Sequence, residues 1–548
     1  MTICALAETH AVQTTRAVPI CIIGGGIAGL LVAVRLARSG RRVLVVESGL
    51  DRFDEQIHEL NDIEDRFGHY NRALTGRFRG FGGTSCSWGG RLIPLSAHDT
   101  GARPHLSLSG WPFPVSELAS YTQELEKLFG VDAFSYEEEL LKHFDRGGMF
   151  PRWDSELRCR WFKCPTHHRA NIGATFRREV AHLRNLEVWL GATVCGFELD
   201  RDSGRLARVT ARDFGDHRLT VTADEFVLAA GSIETTRLLL LLDASSDERA
   251  FAGCNALGRY FQEHARAVVG KVRPLDPVKT NRLFGYRFVG RTRRNLHLEL
   301  TPAIQQAEGV ASAYAEVALD LLPQSPLGIA RDLRRDLQKR QYARLGPSTR
   351  RLTAHAGYLT RAAYWRLVHS QLLMPPDTGL KLEICIEQLP DWNNRIVLSR
   401  QRDRLDVPKV SLEWQLRDAD ERTFRSAAKH VAAYWARSGF DGICPVEWAD
   451  YVQTGGTKFI DVADQRAHPS GSTRMGVNPT TSVVDADLRC HHVRNVWVTS
   501  ASTFPTSGSS NPTLTIMQLA LRAADALLRH TSGSAMIHGG ALQVSGAA

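Results

Sequence analysis

A glycine-rich turn between two short apolar runs constrains this chain more than any other feature. Residues 18 to 49 read VPICIIGGGIAGLLVAVRLARSGRRVLVVESG. The pattern predicts a strand over Val18–Ile23, a helix that ends at Gly40, and a second strand over Val43–Val46. Strand, glycine turn, helix and strand in this order are typical of a dinucleotide-binding βαβ unit.

Each glycine of this turn has its own physical role. Gly24 allows the tight turn, Gly26 lets the backbone approach a pyrophosphate, and Gly29 lets the helix pack on the strand. The start of the helix offers free N–H groups and a positive dipole end to phosphates. Glu47 follows Gly29 by 18 positions, so its carboxylate is placed to accept hydrogen bonds from ribose hydroxyls, which favours an unphosphorylated ribose.

The overall composition is that of an ordinary globular chain. Of the 548 residues, 43% are hydrophobic and 23% are charged, and the net charge of +9 is dispersed. We therefore predict no nucleic-acid partner. The N-terminus lacks the pattern of a secretory signal, and no apolar stretch approaches the ~20 residues that a membrane span needs. The ten cysteines follow no regular framework, so we expect reduced thiols and a cytoplasmic protein.

Possible metal ligands occur together in an irregular, aromatic region. They are Cys159, Cys164, His167 and His168. Their spacing is not that of a standard zinc finger, and no second pair of ligands is obvious. We predict no metal, with a zinc site at these residues as the alternative.

Residues 329–373 combine many arginines with a helical pattern. A solvated helical face fits this composition. A helix that contacts a membrane surface or docks on a partner fits it as well.

A second glycine-rich segment, GFGGTSCSWGG, covers residues 80–90. Its five glycines surround Trp88, and glycine at this density lets the backbone lie against a flat ligand. Further along, the apolar run Phe226–Ala229 leads into Gly231 and a leucine-rich helix. This is a second strand–glycine–helix corner, preceded by short alternating strands that predict a small antiparallel sheet.

The C-terminal part contains two dense motifs, HPSGSTRMG from His468 and FPTSGSSNPTLTIMQ from Phe504. Asn511 is a favoured N-cap residue and Pro512 a favoured first helical residue. The sequence therefore predicts a helix that opens at these two residues and runs to about Leu528.

Together these segments resemble the glucose–methanol–choline (GMC) oxidoreductases, a family of FAD-dependent enzymes that oxidise alcohols. The resemblance is carried by GGGIAG with Glu47, GGTSCSWGG, VLAAGSIETTRLLL, HPSGSTRMG and FPTSGSSNPTLTIMQLALRAAD. The last two motifs are the most specific, and the central region matches only in outline. Within the family, the chain looks most like bacterial sugar and aminosugar dehydrogenases and the pyranose and glycoside oxidases.

The resemblance implies an α/β fold of two parts. One is an FAD-binding Rossmann-like domain of the kind found in GMC enzymes and p-hydroxybenzoate hydroxylase. The other is an α+β substrate domain with an antiparallel sheet. We assign residues 17–100, 171–258 and 466–532 to a discontinuous FAD-binding domain, 101–170 and 259–465 to the substrate-binding domain, and 1–16 and 533–548 to loose tails.

The implied cofactor is noncovalent FAD, because Ser87 stands where some relatives attach the flavin through a histidine. Ser500 stands where many relatives carry an aspartate, so one cofactor contact is expected to differ. The residues expected to bind FAD are Gly24, Gly26, Ile27, Ala28, Gly29, Glu47, Ser48, Gly82, Gly83, Thr84, Trp88, Gly89, Val194, Ala230, Gly231, Pro512 and Thr513.

The resemblance also implies a catalytic pair, His468 and Asn511, which the fold must bring together. Oxidation of an alcohol moves a hydride from carbon to flavin N5 while the hydroxyl proton leaves. Histidine titrates near neutrality and is suited to take that proton. The amide of Asn511 would hydrogen-bond the same oxygen.

We therefore predict FAD-dependent oxidation of CH–OH to a carbonyl. The expected substrate is a small-molecule alcohol such as a sugar, a glycoside or an aminocyclitol-type compound, in natural-product or carbohydrate metabolism. Two alternatives stay open: an NAD-dependent dehydrogenase built on the same βαβ unit, and a catalytically silent flavoprotein that acts through a partner. The electron acceptor is open between oxygen, a quinone and another molecule.

Overall fold

The computed structural model describes residues 3–140, 142, 151–200, 202–338, 342–376 and 378–540. Its strands in chain order are β1 Ile3–Ala5, β2 Gln13–Ile23, β3 Val43–Val46, β4 Ile63–Asp65, β5 Leu157–Cys164, β6 Leu186–Leu190, β7 Thr193–Leu199, β8 Leu206–Arg212, β9 Arg218–Leu228, β10 Ala265–Val272, β11 Arg287–Val289, β12 Thr292–Leu300, β13 Ala313–Asp320, β14 Gly379–Ile386, β15 Arg395–Arg402, β16 Pro408–Glu413, β17 Val446–Trp448, β18 Asp464–Gln465 and β19 Val496–Val498.

The α-helices lie mainly between and after these strands. They are Ile27–Arg38, Glu55–His58, Ala97–Thr100, Ala119–Phe129, His167–Ala170, Ile172–His182, Ser232–Ser245, Pro277–Phe284, Pro302–Glu308, Pro326–Gln338, Leu345–Thr353, Ala356–His369, Asp418–Arg437, Asp450–Thr454, Phe459–Val462 and Thr513–Gly540. In the described part of the chain, none of these helices has the length and apolar character required to cross a bilayer.

The first sheet has the order β1-β6-β3-β2-β9-β8-β7, with β19 also paired to β9. The parallel pairs are β1–β6, β6–β3, β3–β2, β2–β9 and β9–β19, and the antiparallel pairs are β9–β8 and β8–β7. The predicted small antiparallel sheet is therefore not separate. The whole of β9 pairs with β2 on one edge, and on its other edge β8 covers Arg218–Thr222 while β19 covers Phe226–Leu228.

This sheet is buried on both faces, as a parallel sheet covered by helices must be. Alternate residues of β2 show it: Ile20 and Ile22 pack in one apolar cluster, whereas Cys21 and Ile23 pack in another. The helices Ile27–Arg38 and Thr513–Gly540 pack against each other on one face of the sheet. The N-terminal and C-terminal parts of the chain thus share one core.

The prediction of a loose arm over residues 1–16 is wrong for residues 3–16. Strand β1 pairs with β6, and β2 begins at Gln13 rather than at Val18. The reason is the length of β9, whose residues from Arg218 onward provide backbone partners for residues 13 to 17. Both β1 and the first residues of β2 are therefore hydrogen-bonded into the sheet.

The prediction of a loose tail over residues 533–548 is wrong for residues 533–540, which continue the last helix to Gly540. Residues 541–548 lie outside the described residues. Beyond the predicted end at about Leu528, the hydroxyls of Thr531 and Ser532 bond back to the carbonyls of Leu527 and Leu528. These side chains therefore satisfy their hydrogen bonds within the helix instead of ending it in a turn.

The second sheet is antiparallel, with the order β11-β12-β13-β14-β10-β17, β5 beside β12 and β18 beside β10. The helix Asp418–Arg437 packs its buried face on this sheet. A third sheet of β15, β16 and β4 connects the two parts. Residues at the carboxyl ends of β2 and β9 line one cavity, and Arg266 of β10 and Gln465 of β18 line the adjoining one, so the candidate site lies between the first and second sheets.

Candidate active site

The glycine turn after β2 has the close packing that the sequence predicts. Gly24 has a φ of 109°, and a Cβ atom there would lie 2.6 Å from the carbonyl oxygen of Ala229. A Cβ on Gly29 would lie 1.9 Å from the carbonyl oxygen of Gly24. A Cβ on Gly83 would lie 2.8 Å from the Cα of Gly26, so the two glycine-rich loops meet backbone to backbone. Side chains would fill this cradle, and their absence leaves room for a pyrophosphate.

The buried carboxylate of Glu47 fastens the two loops to the end of β3. One oxygen accepts from the N–H of Gly25 at 2.6 Å. The other accepts from the N–H groups of Gly49 at 2.8 Å and Gly80 at 3.0 Å. Burial raises the pKa of Glu47, and these N–H groups oppose that rise. The carboxylate also lines the cleft described next, and its contact with a ribose stays a prediction.

A long cleft runs from Glu47 to His468 along the carboxyl ends of the first sheet. Predicted residues on its wall are Gly24, Gly26, Ile27, Ala28, Glu47, Ser48, Gly83, Thr84, Trp88, Val194, Ala230, Gly231, His468, Pro512 and Thr513. We call it the cofactor cleft. Its glycine cradle, acidic end and apolar wall suit a dinucleotide with a flat ring system, so the residues present fit FAD.

Three residues predicted to bind the cofactor do not line this cleft. Gly29 packs the helix against the turn. Gly82 donates its N–H to the carbonyl oxygen of Gly25 at 2.9 Å, behind the cleft wall. Gly89 lines a neighbouring cavity instead. Gly29 and Gly82 shape the cleft rather than contact its contents.

We call the neighbouring space the substrate-side cavity. It is lined by Arg72, Thr75, Gly76, Thr84, Ser87, Trp88, Gly89, Arg91, Arg266, Gln465, Arg466, Ala467, His468, Asn511 and Thr513. His468, Thr84, Trp88 and Thr513 lie on the walls of both spaces. A molecule in this cavity would therefore meet the ring end of a cofactor in the cleft beside His468.

His468 and Asn511, 43 residues apart in the chain, are in contact. Nδ2 of Asn511 lies 3.1 Å from Nε2 of His468. Asn511 is not the N-cap that the sequence predicts, because the last helix begins at Thr513 and its first hydrogen bond runs from the N–H of Ile516 to the carbonyl of Pro512. The catalytic roles of the pair stay a prediction.

A second histidine completes the arrangement. Nδ1 of His264 lies 2.9 Å from Nδ1 of His468, with the rings at 88° to each other. If Asn511 donates to Nε2 of His468, then Nδ1 of His468 carries the proton and donates to Nδ1 of His264. The Nε2 lone pair of His468 is then on the side where a substrate hydroxyl would lie.

Both imidazoles are held in the neutral form. Desolvation lowers the pKa of His264 to about 4. Desolvation, with His264 and the guanidinium groups of Arg466 and Arg91, lowers the pKa of His468 well below 6.5. A neutral imidazole is the form that accepts a proton, so His468 is ready to act as a base at pH 7.

Glu263 fixes the backbone of both histidines. Its Oε1 accepts from the N–H of His264 at 2.9 Å and from the N–H of His468 at 2.5 Å, and Oε2 accepts from the hydroxyl of Tyr70 at 3.3 Å. Burial raises the pKa of Glu263 to about 8. This side chain sets the separation of the two imidazoles without touching the cavity.

Several residues of this site were not predicted from the sequence. Two of them, Glu263 and His264, lie in the segment LGRYFQEH. A third is Arg79, whose guanidinium lines the cofactor cleft and bonds to Ser48 at 3.2 Å and Glu234 at 2.8 Å. A histidine and a glutamate side by side in a glycine-bearing motif were the signal that could have found the first two.

The possible metal ligands are not gathered into a site. Cys159 and Cys164 lie on β5, five residues apart, so they point to opposite faces of the sheet. Cys164 accepts a hydrogen bond from Arg293, and Cys159 bonds to the carbonyl of Pro151. Among the described residues, no group of three or more potential ligands is close enough to hold a metal ion.

Two family models match the chain. Residues 390–520 match GMC oxidoreductase, and residues 19–55 match FAD dependent oxidoreductase. The first range includes His468 and Asn511, and the second covers the glycine turn and Glu47. The matches therefore fall on the two ends of the cofactor cleft.

Curated relatives match the chain over nearly its whole length. It is similar to the fructose dehydrogenase large subunit of Gluconobacter japonicus, with 25% identity over 94% of this chain and 98% of the relative. It is also similar to 6'''-hydroxyparomomycin C oxidase of Streptomyces lividus, with 23% identity over 95% and 93%. A shorter match of 31% identity, over 28% of this chain and 27% of the relative, is to paromamine 6'-oxidase of Streptomyces fradiae.

Solved structures share the fold. Formate oxidase superposes with a TM-score of 0.56 and 16% identity over 93% of this chain and 98% of that chain. Pyridoxine 4-oxidase from Mesorbium loti does so with a TM-score of 0.56 and 16% identity over 94% and 99%. Fold, cleft and family models agree: the chain is similar to the GMC oxidoreductases, matches their family model over residues 390–520, and is an FAD-dependent enzyme that oxidises a CH–OH group.

Proposed function

We propose that this enzyme oxidises a ring or side-chain alcohol of a sugar-like molecule, with His468 as the base that takes the hydroxyl proton. The observation that carries the proposal is the contact of His468 Nε2 with Asn511 Nδ2, at 3.1 Å, on the boundary between the cofactor cleft and the substrate-side cavity. The names of the relatives, which include a fructose dehydrogenase and two oxidases of aminoglycosides, support the substrate class.

Asn511 and His468 would share the reacting oxygen. In the structure the amide of Asn511 donates to the imidazole. When an alcohol enters, the amide donates to the hydroxyl oxygen instead, and the hydroxyl donates to Nε2 of His468. This geometry holds the oxygen in one position and directs its proton to the base.

His264 would keep the base in the correct tautomer. Nδ1 of His264 accepts a hydrogen bond from the Nδ1–H of His468, so that proton stays on Nδ1 and Nε2 is unprotonated when the substrate binds. After the proton has moved, His468 is a cation that is still hydrogen-bonded on both sides. When bound, FAD supplies the hydride acceptor.

The walls of the site would exclude water from the reacting carbon. Trp88 donates its indole N–H to the carbonyl of Ala170 at 2.8 Å and packs against Phe129, so its ring is fixed between the two spaces. Pro512 and Thr513 close the opposite wall. Exclusion of water from this junction by bound cofactor and substrate would strengthen the polar contacts of the pair.

Anaerobic bleaching of the bound flavin by sugars, glycosides, aminocyclitols and simple alcohols tests the proposal. We expect sugar-like alcohols to bleach it, and we expect His468→Ala to slow bleaching by at least 10²-fold while FAD stays bound. A His468→Ala protein that bleaches at the original rate would contradict the assignment of the base. A flavin that no alcohol reduces would favour a silent flavoprotein.

We further propose that the helix Ala356–His369 contacts a membrane surface. Its Tyr364, Leu367 and Val368 are 62%, 82% and 55% exposed, and the exposed Arg361 adds positive charge beside them. Exposed apolar and basic side chains on one helix favour an anionic bilayer surface. Co-sedimentation with anionic vesicles, but not with zwitterionic ones, is expected. Leu367→Ser should weaken it, and Val477→Ser, at another exposed apolar residue, should not.

A further inference from the structure

Seven charged side chains alternate in sign behind and along one wall of the substrate-side cavity. In order they are Arg91, Glu316, Arg466, Glu383, Arg266, Asp464 and Arg72, and we call them the charge ladder. The nitrogen–oxygen distances between neighbours include 2.8 Å for Arg91 and Glu316, 2.5 Å for Arg466 and Glu316, and 2.8 Å for Arg266 and Glu383. The last contact joins Asp464 and Arg72.

The ladder follows from the register of the second sheet. Glu316 on β13 lies directly opposite Glu383 on β14, and Arg266 on β10 lies directly opposite Asp464 on β18. Two carboxylates opposite each other on neighbouring strands repel. Arg466, which contacts both, offsets this repulsion. The inner arginines therefore each have two acidic partners.

The signs of charge are not distributed evenly around the cavity. All four arginines of the ladder line it, whereas Glu316, Glu383 and Asp464 do not, and no acidic side chain appears on the described part of its wall. Four guanidinium groups against three carboxylates leave one positive charge in excess. Burial raises the pKa of Glu316, but Arg91 and Arg466 lower it well below its usual range, so Glu316 stays charged.

The excess charge is concentrated at the two ends of the ladder. Within the described part of the chain, Arg91 and Arg72 each form an ion pair with a single acid, Glu316 and Asp464 respectively. Among the described residues, only Nη1 of Arg91 donates a hydrogen bond, and its guanidinium lies over the ring of Phe162, with Cζ 4.5 Å from the centroid. The aromatic ring fixes the orientation of its remaining N–H groups.

The ladder also lies next to the reacting pair. Arg466 precedes His468 by two residues and shares the cavity with it and with Asn511. A group bound by the ladder would belong to the same molecule whose hydroxyl contacts His468. The planar donor fork of arginine suits carboxylate and phosphate oxygens.

We propose that the substrate of this enzyme is an alcohol that also carries an anionic group, a carboxylate or a phosphate ester, and that Arg91 and the other ladder arginines recognise that group. This inference rests on the proposed function and narrows its substrate class. Cationic aminoglycosides would meet four guanidinium groups and no acid, so they should be poor substrates.

The test compares sugars that share a ring but differ in charge. Holoenzyme is reduced anaerobically by glucose, glucuronate, glucose 6-phosphate and a cationic aminoglycoside, and by the corresponding galactose series. We expect at least a tenfold higher second-order rate of flavin reduction for one anionic class than for its neutral parent, with the advantage shrinking as salt is added. The carboxylate and phosphate arms decide which group is recognised.

Variants connect the preference to the ladder. Arg91→Gln should lower the anionic-to-neutral ratio at least tenfold, and Arg91→Lys should restore part of it. Arg273→Gln removes an exposed ion pair with Glu447, directly after the end of β10, and should leave the ratio unchanged. Acetate and inorganic phosphate should compete with the substrate of the original enzyme, a measurement that does not depend on the folding of any variant.

The outcomes separate this inference from the proposed function. Equal or faster reduction by neutral or cationic sugars would overturn the anionic substrate and leave sugar oxidation standing. A ratio that Arg91→Gln does not change would overturn the role of the ladder. If no alcohol reduces the flavin, both proposals are wrong.

Discussion

Nδ1 of His264 and Nδ1 of His468 lie 2.9 Å apart, so the candidate base is hydrogen-bonded to a second, fully buried imidazole. His264 does not line either cavity, and it acts on the site through its neighbour. It is therefore a positioning residue, and its effect should be seen in how His468 works rather than in whether a substrate binds.

Removing this contact should slow proton transfer without releasing the cofactor. In His264→Ala, His468 loses the acceptor for its Nδ1 proton, so we expect flavin reduction to slow about 10- to 100-fold with little change in substrate affinity. Stopped-flow absorbance under anaerobic conditions measures both quantities. His264→Asn, which keeps an acceptor, should recover part of the rate. A loss of affinity with an unchanged limiting rate would argue against a positioning role.

The pH dependence of flavin reduction should show a displaced acidic limb. Desolvation, His264, Arg466 and Arg91 lower the pKa of His468 below 6.5, and the base works only when neutral. The rate should therefore stay level as the pH falls to 6.5 and decline only below it. Arg91→Gln removes one nearby cation, so the pKa of His468 should rise and the acidic limb should move to higher pH. A limb at or above pH 6.5 in the original enzyme would show that His468 is not the titrating base.

Substitutions of Glu263 should separate hydrogen bonding from charge. Burial raises its pKa to about 8, so the side chain is largely protonated at pH 7. Glu263→Gln keeps an oxygen for the N–H groups of His264 and His468, and it should stay close to the original activity. Glu263→Ala leaves two buried N–H groups without a partner, at about 1–3 kcal/mol each. Its melting temperature and rate of flavin reduction should both fall, and equal effects of the two substitutions would contradict this account.

A methyl group at Gly29 should abolish cofactor binding. The added Cβ would lie 1.9 Å from the carbonyl oxygen of Gly24, so the helix and the turn must separate. We expect Gly29→Ala to purify without flavin or not to fold. Gly346→Ala is the control, because a Cβ there meets nothing within 4 Å and the residue is exposed on a helix. Flavin absorbance per protein is the measurement, and a yellow Gly29→Ala protein would disprove the predicted packing.

His297 should make the folded state less stable in acid. Desolvation lowers its pKa to about 3, with Arg91, Arg466 and Arg160 also opposing its charge and Glu316 favouring it. Below pH 6.5 the unfolded chain binds a proton that the folded chain does not, so stability falls as the pH falls, by about 2 kcal/mol between pH 6.5 and 5. Between pH 6.5 and 5, the free energy of unfolding of His297→Gln should fall by about 2 kcal/mol less than that of the original protein. Denaturation of both proteins at the two pH values measures this difference. Parallel losses in both proteins would contradict the prediction.

Local patterns in the sequence were enough for the elements that position the cofactor. Val43–Val46 is a strand with the predicted bounds, and the glycine turn has the predicted packing. These features depend on neighbours in the chain, where periodicity and turn chemistry are visible. The contact of His468 with Asn511 was expected from the resemblance alone, since no local pattern joins residues 43 apart.

The features that were missed all depend on distant partners. The extension of β2 to Gln13 requires β9, and the ladder requires Glu316 and Glu383 to lie opposite each other on separate strands. The helix predicted to open at Asn511 begins at Thr513, and the Nδ2 group of Asn511 contacts His468 instead. Sheet register and contacts between side chains distant in the sequence are set by the whole fold.

The three N–H groups around Glu47 should keep this part of the site in place before any cofactor binds. Gly25, Gly49 and Gly80 come from three loops, and one carboxylate holds them together without any help from a dinucleotide. Deflavinated enzyme should thus keep its adenosine end assembled. Reconstitution with FAD, or with ring-modified flavin analogues, should proceed as a single rapid uptake rather than through slow refolding.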